Sequence, residues 1–352
     1  MARFYTSLLH CLHLVLIDPK GSLSEHVAGF VAALRMFFIY GLTKRTQLVC
    51  PMTGPNQEPS STSLKLNLVE SNKIDCGPYR PPHLRKKDQE NLHLLKAWKS
   101  PSFSDHESIA DYTSSDSDIS DSDGSAKDND NVRSSKARVA AIICIQDLCR
   151  ADPKSFTAHW TMLLPSSDVL QPRKYEGTLM TCLLFDPYLK ARITAASTLA
   201  TMLDGPTSVF LQILMQLHKG ILYLILHEIH SGLLASLFKI LILLMSSTPY
   251  SRMPGELLPT VILSLRARIE EGFPFRSDQT SLLAAAMNCL TAALSASPSS
   301  LKVKDMFVAE LSTGFVDAQG KSGALSTIFQ YCEPVTSPTI SFEALQVYVK
   351  VE

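Results

Sequence analysis

Residues 186–203 read Asp-Pro-Tyr-Leu-Lys-Ala-Arg-Ile-Thr-Ala-Ala-Ser-Thr-Leu-Ala-Thr-Met-Leu, and the fold prediction starts from this pattern. Its first two residues predict a turn followed by a helix start, because proline has a fixed φ and needs no N–H bond in the first helical turn. The i, i+3, i+4 spacing predicts a buried stripe of Ile193, Ala196, Leu199, Ala200 and Leu203. The small alanines of this stripe would let a second helix approach closely.

The same pattern recurs elsewhere in the chain. Lys-Ala-Arg-Val-Ala-Ala at 136–141 is matched by Lys-Ala-Arg-Ile-Thr-Ala at 190–195, and weaker echoes place Ser236 and Ala286 at the position of Ala195. An irregular period of about 40 to 50 residues is typical of two-helix HEAT or armadillo units with variable loops. We therefore predict an all-α, HEAT/armadillo-like α-solenoid, a right-handed superhelix of helical pairs.

Asp186-Pro187, followed by Lys-Ala-Arg-Ile and two alanines, resembles the HEAT-repeat consensus. In that family an aspartate and an arginine of successive repeats form a ladder along the turns within helix pairs. The resemblance implies that Asp186, Arg192 and Arg138 are ladder residues.

Two segments carry a closer resemblance. Residues 136–153 and 247–280 are similar to the family of HEAT repeat-containing protein 6. This similarity implies an α-solenoid and no known catalytic activity. Members of that family are much longer, and the segment after Gln212 looks shortened here.

Composition divides the chain into three parts. Residues 1–48 are predicted to form an N-terminal helical pair, a partial repeat, with its second helix at 27–40. Residues 49–134, first basic and then rich in serine and aspartate, are predicted to be a mostly disordered linker. Residues 135–352 are predicted to hold the helical repeats. The predicted helices there include 189–203 and 279–295, and also 207–217 and 221–229, which are separated at Gly220. We expect the last repeat to be incomplete, with an exposed stacking face that favours aggregation or implies further chain.

The acidic tract within the linker is a candidate for phosphorylation. Residues 105–130 carry nine acidic residues against one lysine. An acid lies three residues downstream of each candidate hydroxyl, which suits an acid-directed kinase, and the candidates are Ser104, Thr113, Ser115, Ser120 and Ser125. As a hypothesis, the tract folds back over basic positions such as Arg138, Arg173, Lys174 and Arg192, or competes with an acidic partner.

Charge and apolar patterning argue against nucleic-acid and membrane functions. The 33 basic and 33 acidic residues balance, and the repeat region has no basic excess to neutralise phosphates. The basic stretch 79–87 is either a docking or nuclear-import peptide or a solvated part of the linker. Residues 4–17 are too short to span a bilayer, and 209–226 are interrupted by polar residues, so no membrane span is expected.

No motif in the sequence indicates catalysis. His227-Glu-Ile-His230 lacks the i, i+4 histidine spacing of zinc proteases, and no glycine-rich phosphate loop occurs. Asp147, Asp186 and Glu228 are interpreted as isolated helix acids, which cannot form a catalytic constellation. We therefore predict no enzyme activity, no small-molecule substrate, no cofactor and no metal site.

The cysteines and the fold together suggest an intracellular binding protein. Cys11, Cys144, Cys182 and Cys289 lie in apolar helical runs without disulfide or metal spacing, which predicts reduced core thiols in the cytoplasm or nucleus. The leading interpretation is a non-catalytic scaffold or adaptor that binds a protein or peptide. The alternatives are a karyopherin-like transport adaptor, for which only Asn288 and Trp160 offer ladder residues, and a regulatory subunit of an enzyme complex.

Overall fold

The computed structural model describes most of the predicted helical parts and little of the predicted linker. The described residues are 1–19, 21, 23–42, 126–171, 176–206, 210–274, 278–296, 301–314, 323–332 and 337–351. The five candidate phosphosites, Arg173 and Lys174 lie outside these ranges.

All regular structure in the described residues is helical. The α-helices, with a short 3₁₀ turn at Tyr250–Arg252 between the ninth and tenth, are α1 Ala2–Ile17, α2 Val27–Arg35, α3 Ala126–Ala151, α4 Pro153–Thr157, α5 Trp160–Leu163, α6 Leu179–Phe185, α7 Leu189–Asp204, α8 Leu211–His227, α9 Ser231–Ser247, α10 Leu257–Glu271, α11 Gln279–Leu294, α12 Leu301–Ser312, α13 Ala324–Cys332 and α14 Pro338–Val351. None of these described helices is long and apolar enough to cross a membrane.

The helices pack in two rows. In the first row, α1, α3, α7, α9, α11 and α14 each contact the next. The second row contains α6, α8, α10 and α13 in successive contact, with α2, α4 and α5 grouped before them and α12 beside α10 and α13. The rows are joined by helix pairs such as α6 with α7, α8 with α9, and α10 with α11. One apolar core runs between the rows from Leu9 to Val347.

Helix α7 spans almost the range that the sequence predicts, but its buried face is rotated. Ala196, Leu199 and Leu203 are buried, Ala200 is partly buried, and Ile193 is 39% exposed. The buried set also includes Ala191, Ala195, Thr198 and Met202. The prediction for Ile193 was wrong because α7 is enclosed by α3, α6 and α9, which cover the side of the helix that carries Ala191 and Ala195.

The predicted helix break at Gly220 is also wrong, because Gly220 lies inside the continuous helix α8. A Cβ placed there would lie 2.4 Å from Met180 Cε and 3.3 Å from Val169 Cγ1. Glycine at this position therefore makes space for two buried side chains and does not interrupt the helix.

Two other boundaries differ from those predicted. Helix α3 begins at Ala126, so the last part of the predicted linker 49–134 is helical. Once a packed helix exists, each added residue gains a hydrogen bond without a new nucleation cost. Helix α2 ends at Arg35 rather than at Tyr40. The following residues form tighter turns with i to i−3 hydrogen bonds as far as Leu42, and Gly41 within them has φ +79°.

Candidate functional site: a buried ladder of arginines and carboxylates

Arg138 and Asp186 form the first rung of a buried polar ladder. Arg138 Nε donates to Asp186 Oδ2 at 2.6 Å, and its Nη2 donates to Asp186 Oδ1 at 2.9 Å. Both side chains are almost fully buried. This bidentate, charge-assisted geometry joins α3 to the turn between α6 and α7 and fixes the orientation of both groups.

The same arginine reaches back to the turn after α2. Arg138 Nη1 donates to the Tyr40 carbonyl at 2.9 Å. The next residue, Gly41, has a positive φ, and a Cβ there would lie only 2.5 Å from Ser134 Cβ. Glycine therefore permits the close approach between this turn and α3 that puts the Tyr40 carbonyl against the guanidinium.

Asp186 also shapes the turn in which it lies. It is the C-cap of α6, and its Oδ1 accepts a hydrogen bond from the backbone N–H of Tyr188 at 2.8 Å. The carboxylate therefore binds Arg138 and orders the start of α7 at the same time.

Arg192 and Glu228 form the second rung. Arg192 Nε donates to the Leu183 carbonyl at 2.9 Å, near the end of α6, and Nη2 pairs with Glu228 Oε2. Glu228 is the buried C-cap of α8, and its Oε1 accepts from the backbone N–H groups of Ile229 and His230, each at 3.0 Å. This rung repeats the arrangement of Asp186 one helix pair later.

Arg268 supplies the third rung from α10. Its Nη2 donates to the Glu228 carbonyl at 2.9 Å, and its Nη1 donates to the Leu226 carbonyl at 3.3 Å. The guanidinium also lies over the Phe273 ring, 5.4 Å from the ring centroid. Burial lowers the pKa of the Arg268 side chain, and the charges of Glu271 and Glu228 oppose that shift. An arginine at a helix C-terminus satisfies carbonyls that have no partner within the helix.

A buried carboxylate caps a helix further along the chain. Glu310 on α12 accepts from the N–H groups of Ala324 and Leu325 at the start of α13, each at 3.0 Å. A Cβ at Gly323 would lie 2.6 Å from Glu310 Oε2, so glycine permits this approach. The negative charge at a helix N-terminus is electrostatically favourable.

The structure brings two of the three predicted ladder residues together. Arg138 and Asp186 are in contact, whereas Arg192 pairs with Glu228 rather than with an aspartate. The isolation expected for Asp147 and Glu228 is not observed, whereas Asp186 pairs as the ladder prediction requires. Asp147 pairs with His13 of α1 at 2.6 Å, and the other two acids pair with the ladder arginines.

Two of the four basic residues that the acidic tract was expected to contact are already paired within the fold. The Arg138 side chain is buried, the Arg192 side chain is partly buried, and the two already bind Asp186 and Glu228, so neither presents a free positive charge at the surface. The sequence missed Glu228 as a ladder residue, although it follows α8 directly, as Asp186 follows α6. An acid recurring at the end of two successive second-row helices could have revealed it.

Burial keeps the core thiols protonated and therefore unreactive. Burial raises the pKa of Cys144 to about 12, assisted by the nearby Asp147 carboxylate, and raises that of Cys149 to about 11. Burial also raises the pKa values of Cys182 and Cys289. A protonated, buried thiol is a poor nucleophile and a poor metal ligand. Cys11, predicted to lie in the core, is exposed because it lies on the side of α1 away from α3.

The ladder fixes geometry and offers no reactive group. Each of its carboxylates binds an arginine, and each of its arginines binds backbone carbonyls as well. In the part of the chain that the structure describes, no group of three histidine, cysteine or acidic side chains is placed to hold a metal ion.

Comparison with known proteins finds similarity to a protein family and to a relative from another organism. A family model described as "Domain of unknown function (DUF4042)" matches residues 136–214 and 212–300, a span that includes the ladder from Arg138 to Arg268. An uncharacterised protein of Dictyostelium discoideum is 34% identical over 93 residues, which are 26% of this chain and 5% of that protein. The chain therefore spans only a small part of the length of this relative. No solved structure matches the chain.

Proposed function

We propose that this chain is a non-catalytic scaffold of the HEAT/armadillo type, a right-handed solenoid of helical pairs that presents its surface to a protein or peptide partner. The observation that carries the proposal is the ladder. Arg138, Arg192 and Arg268 tie the turns of successive helix pairs to one another, as the HEAT resemblance implies for an arginine and an acid in neighbouring repeats.

The ladder supports a scaffold because it limits how one pair can rotate against the next. Directional, bidentate hydrogen bonds in a buried setting have a narrow range of favourable geometries. A row of helices held in this way has a defined surface, and a scaffold needs a defined surface to recognise a partner. The same arrangement supports the resemblance to HEAT repeat-containing protein 6.

The surface that we propose for the partner lies on the exposed stripes of α7, α9 and α11. These stripes share the spacing of one residue every three or four positions, and five of their nine residues are glycine, alanine or serine. The outer stripes contain Lys190, Ile193 and Ser197 on α7, Gly232, Ala235 and Lys239 on α9, and Ser281, the partly buried Ala284 and Asn288 on α11. Short side chains on neighbouring helices would allow a partner to approach the helix backbones closely.

The karyopherin-like alternative has weaker support. It needs exposed asparagine and tryptophan side chains along inner helices. Asn288 is exposed, but Trp160 is only 1% exposed and packs in the core. A regulatory subunit of an enzyme complex would use the same outer stripes, so it differs from the leading proposal only in the identity of the partner.

The proposal is tested by affinity capture of the full chain followed by mass spectrometry. We expect Ala235→Arg combined with Asn288→Arg to lose proteins that the unmodified chain retains, because two long cations would obstruct the outer stripes. Ser251→Arg is the matched control, since it places the same side chain at an exposed site outside these stripes. Identical protein sets from the double variant and the control would contradict a binding role for this surface.

A further inference from the structure

Helix α1 presents an apolar face that no described helix covers. Phe4, Leu8, Cys11 and Val15 are exposed and follow one another at intervals of four, three and four residues. That spacing forms one straight stripe on a helix. The opposite side, with Leu9 and Leu16, is buried against α3 and the core. The exposed fractions reach 64% at Phe4 and 61% at Val15.

Helix α14 presents a second stripe of the same kind. Phe342, Leu345 and Val349 are 59%, 48% and 66% exposed, at intervals of three and four residues. Ala344 and Val347, on the other side of the helix, are buried where α14 meets α11 and α13. Alternating intervals of three and four residues on two facing helices are the pattern by which apolar side chains interlock in helix packing.

The charges beside the two stripes are complementary in one orientation. Helix α1 has exposed Arg3 in its first turn and exposed Asp18 at its C-cap. Helix α14 has Glu343 in its first half and Lys350 in its last turn. A parallel arrangement can place Arg3 beside Glu343 or Asp18 beside Lys350, in two different registers, because the charges are 15 residues apart on α1 and seven apart on α14. An antiparallel arrangement instead brings like charges together.

We propose that the chain associates head to tail, with α1 of one copy packed in parallel against α14 of a second copy. The second copy would extend the first row by the same helix-to-helix stacking that the row uses internally. Since each copy contributes a different face, the contact is heterologous and leaves one face free at each end of a dimer. The free faces allow further copies to add.

Two single variants of the full chain test this arrangement. Leu8→Lys blocks the α1 face, and Leu345→Lys blocks the α14 face, and lysine at exposed positions preserves helix propensity. Analytical ultracentrifugation over a wide range of concentrations should show species larger than a monomer for the unmodified chain. Each variant alone should associate at least about tenfold more weakly. An equimolar mixture should form a one-to-one dimer and nothing larger, because the mixture retains one intact α1 face and one intact α14 face.

Ile229→Lys is the control, since it replaces an apolar side chain that is 65% exposed outside both faces and should associate like the unmodified chain. Circular dichroism checks that every variant keeps its helical content. The proposal would be overturned if the unmodified chain is a monomer at all concentrations. It would also be overturned if a different partner is found to cover these two faces. Loss of association in only one of the two single variants would indicate a symmetric contact and would also overturn it.

Discussion

Two neighbouring parts of the first row hold their helices together by different means. Between α3 and α7, Gln146 Nε2 donates to Ser197 and Thr201 hydroxyls, each at 2.9 Å, and the Arg138 to Asp186 pair lies at the turn. Between α9 and α11 the contact is apolar, and its polar bond is a weak one from Cys289 Sγ–H to the Phe238 carbonyl at 3.5 Å.

The two kinds of contact differ in how strictly they fix the orientation of one helix against the next. Apolar burial is roughly proportional to the area removed from water and tolerates small rotations of one helix against another. Burying a bidentate ion pair costs desolvation free energy, and the pair offsets this cost only within a narrow range of geometries. The α3 to α7 region should therefore be sensitive to the loss of one charged partner, while the α9 to α11 region should be sensitive mainly to the loss of volume.

The largest effect is expected when one partner of the first rung is removed. Arg138→Met would leave the Asp186 carboxylate buried without a counterion, at a cost of about 3–5 kcal/mol of unfolding free energy. Denaturation in urea, followed by circular dichroism, measures this loss. The double variant Arg138→Met with Asp186→Leu should recover a large part of it, because no uncompensated charge remains.

The recovery is the decisive part of that experiment. If the double variant is as unstable as the sum of the single variants, the pair does not act as a unit, and the contrast with the apolar region has no energetic basis. A single variant that loses less than about 1 kcal/mol would contradict the expected cost of the buried charge directly.

The sequence predicts helices well where local signals act and predicts pairings poorly. Helix α7 was expected at 189–203 and α11 at 279–295, and both lie within one residue of those bounds. Proline positions and apolar spacing are local, so a single chain contains them. The partner of Arg192 is Glu228, 36 residues further along the chain, and only the stacking of α7 and α8 on their neighbours brings the two together.

The two errors within α7 and α8 have the same origin. Ile193 is apolar and suitably spaced, but the row turns its side of the helix toward solvent. Gly220 is a helix breaker by propensity, yet tertiary packing against Met180 and Val169 keeps it in a helix. Spacing identifies a possible stripe, and the neighbours decide which stripe is buried.

A second prediction concerns a buried polar group without charge. His218 on α8 is 0% exposed, its Nδ1 lies 2.8 Å from the Leu214 carbonyl, and its Nε2 lies 3.1 Å from the Tyr250 hydroxyl. A neutral ring that donates from Nδ1 and accepts from the tyrosine satisfies both contacts. Burial lowers the pKa of His218 from 6.5 to about 4, although the Leu214 contact opposes the shift.

Because the folded state resists protonation, His218 makes stability dependent on pH. Between pH 6.5 and about 4 the unfolded chain binds a proton that the folded chain does not, so stability falls as the pH falls through this window. The full effect is about 3 kcal/mol. In His218→Phe with Tyr250→Phe, the difference in urea midpoint between pH 7 and pH 5 should be smaller than in the unmodified chain. An equal difference would contradict a contribution of His218 to the acid sensitivity.

A third prediction tests sensitivity to added volume in an apolar contact. Gly220→Ala would force Met180 and Val169 to move, at about 1–3 kcal/mol, offset by up to about 1 kcal/mol of helix propensity. Gly232→Ala is the matched control, because a Cβ there meets no atom within 4 Å. Thermal unfolding should show a lower midpoint for the first variant and an equal or higher midpoint for the second. Equal midpoints would mean that the packing around α8 is loose.

The smallest effect is expected for an ion pair at the surface. Lys219 Nζ lies 2.8 Å from both carboxylate oxygens of Asp168, but the two side chains are 45% and 42% exposed. Water and salt screen such a pair, so Asp168→Asn should lower the unfolding free energy by less than about 1 kcal/mol. Asparagine keeps an oxygen for the Leu170 N–H, which now donates to Asp168 Oδ1, so the variant isolates the charge. Urea unfolding at low and high salt measures the loss. A loss as large as that of Arg138→Met would show that the number of charge contacts, rather than their burial, controls stability in this chain.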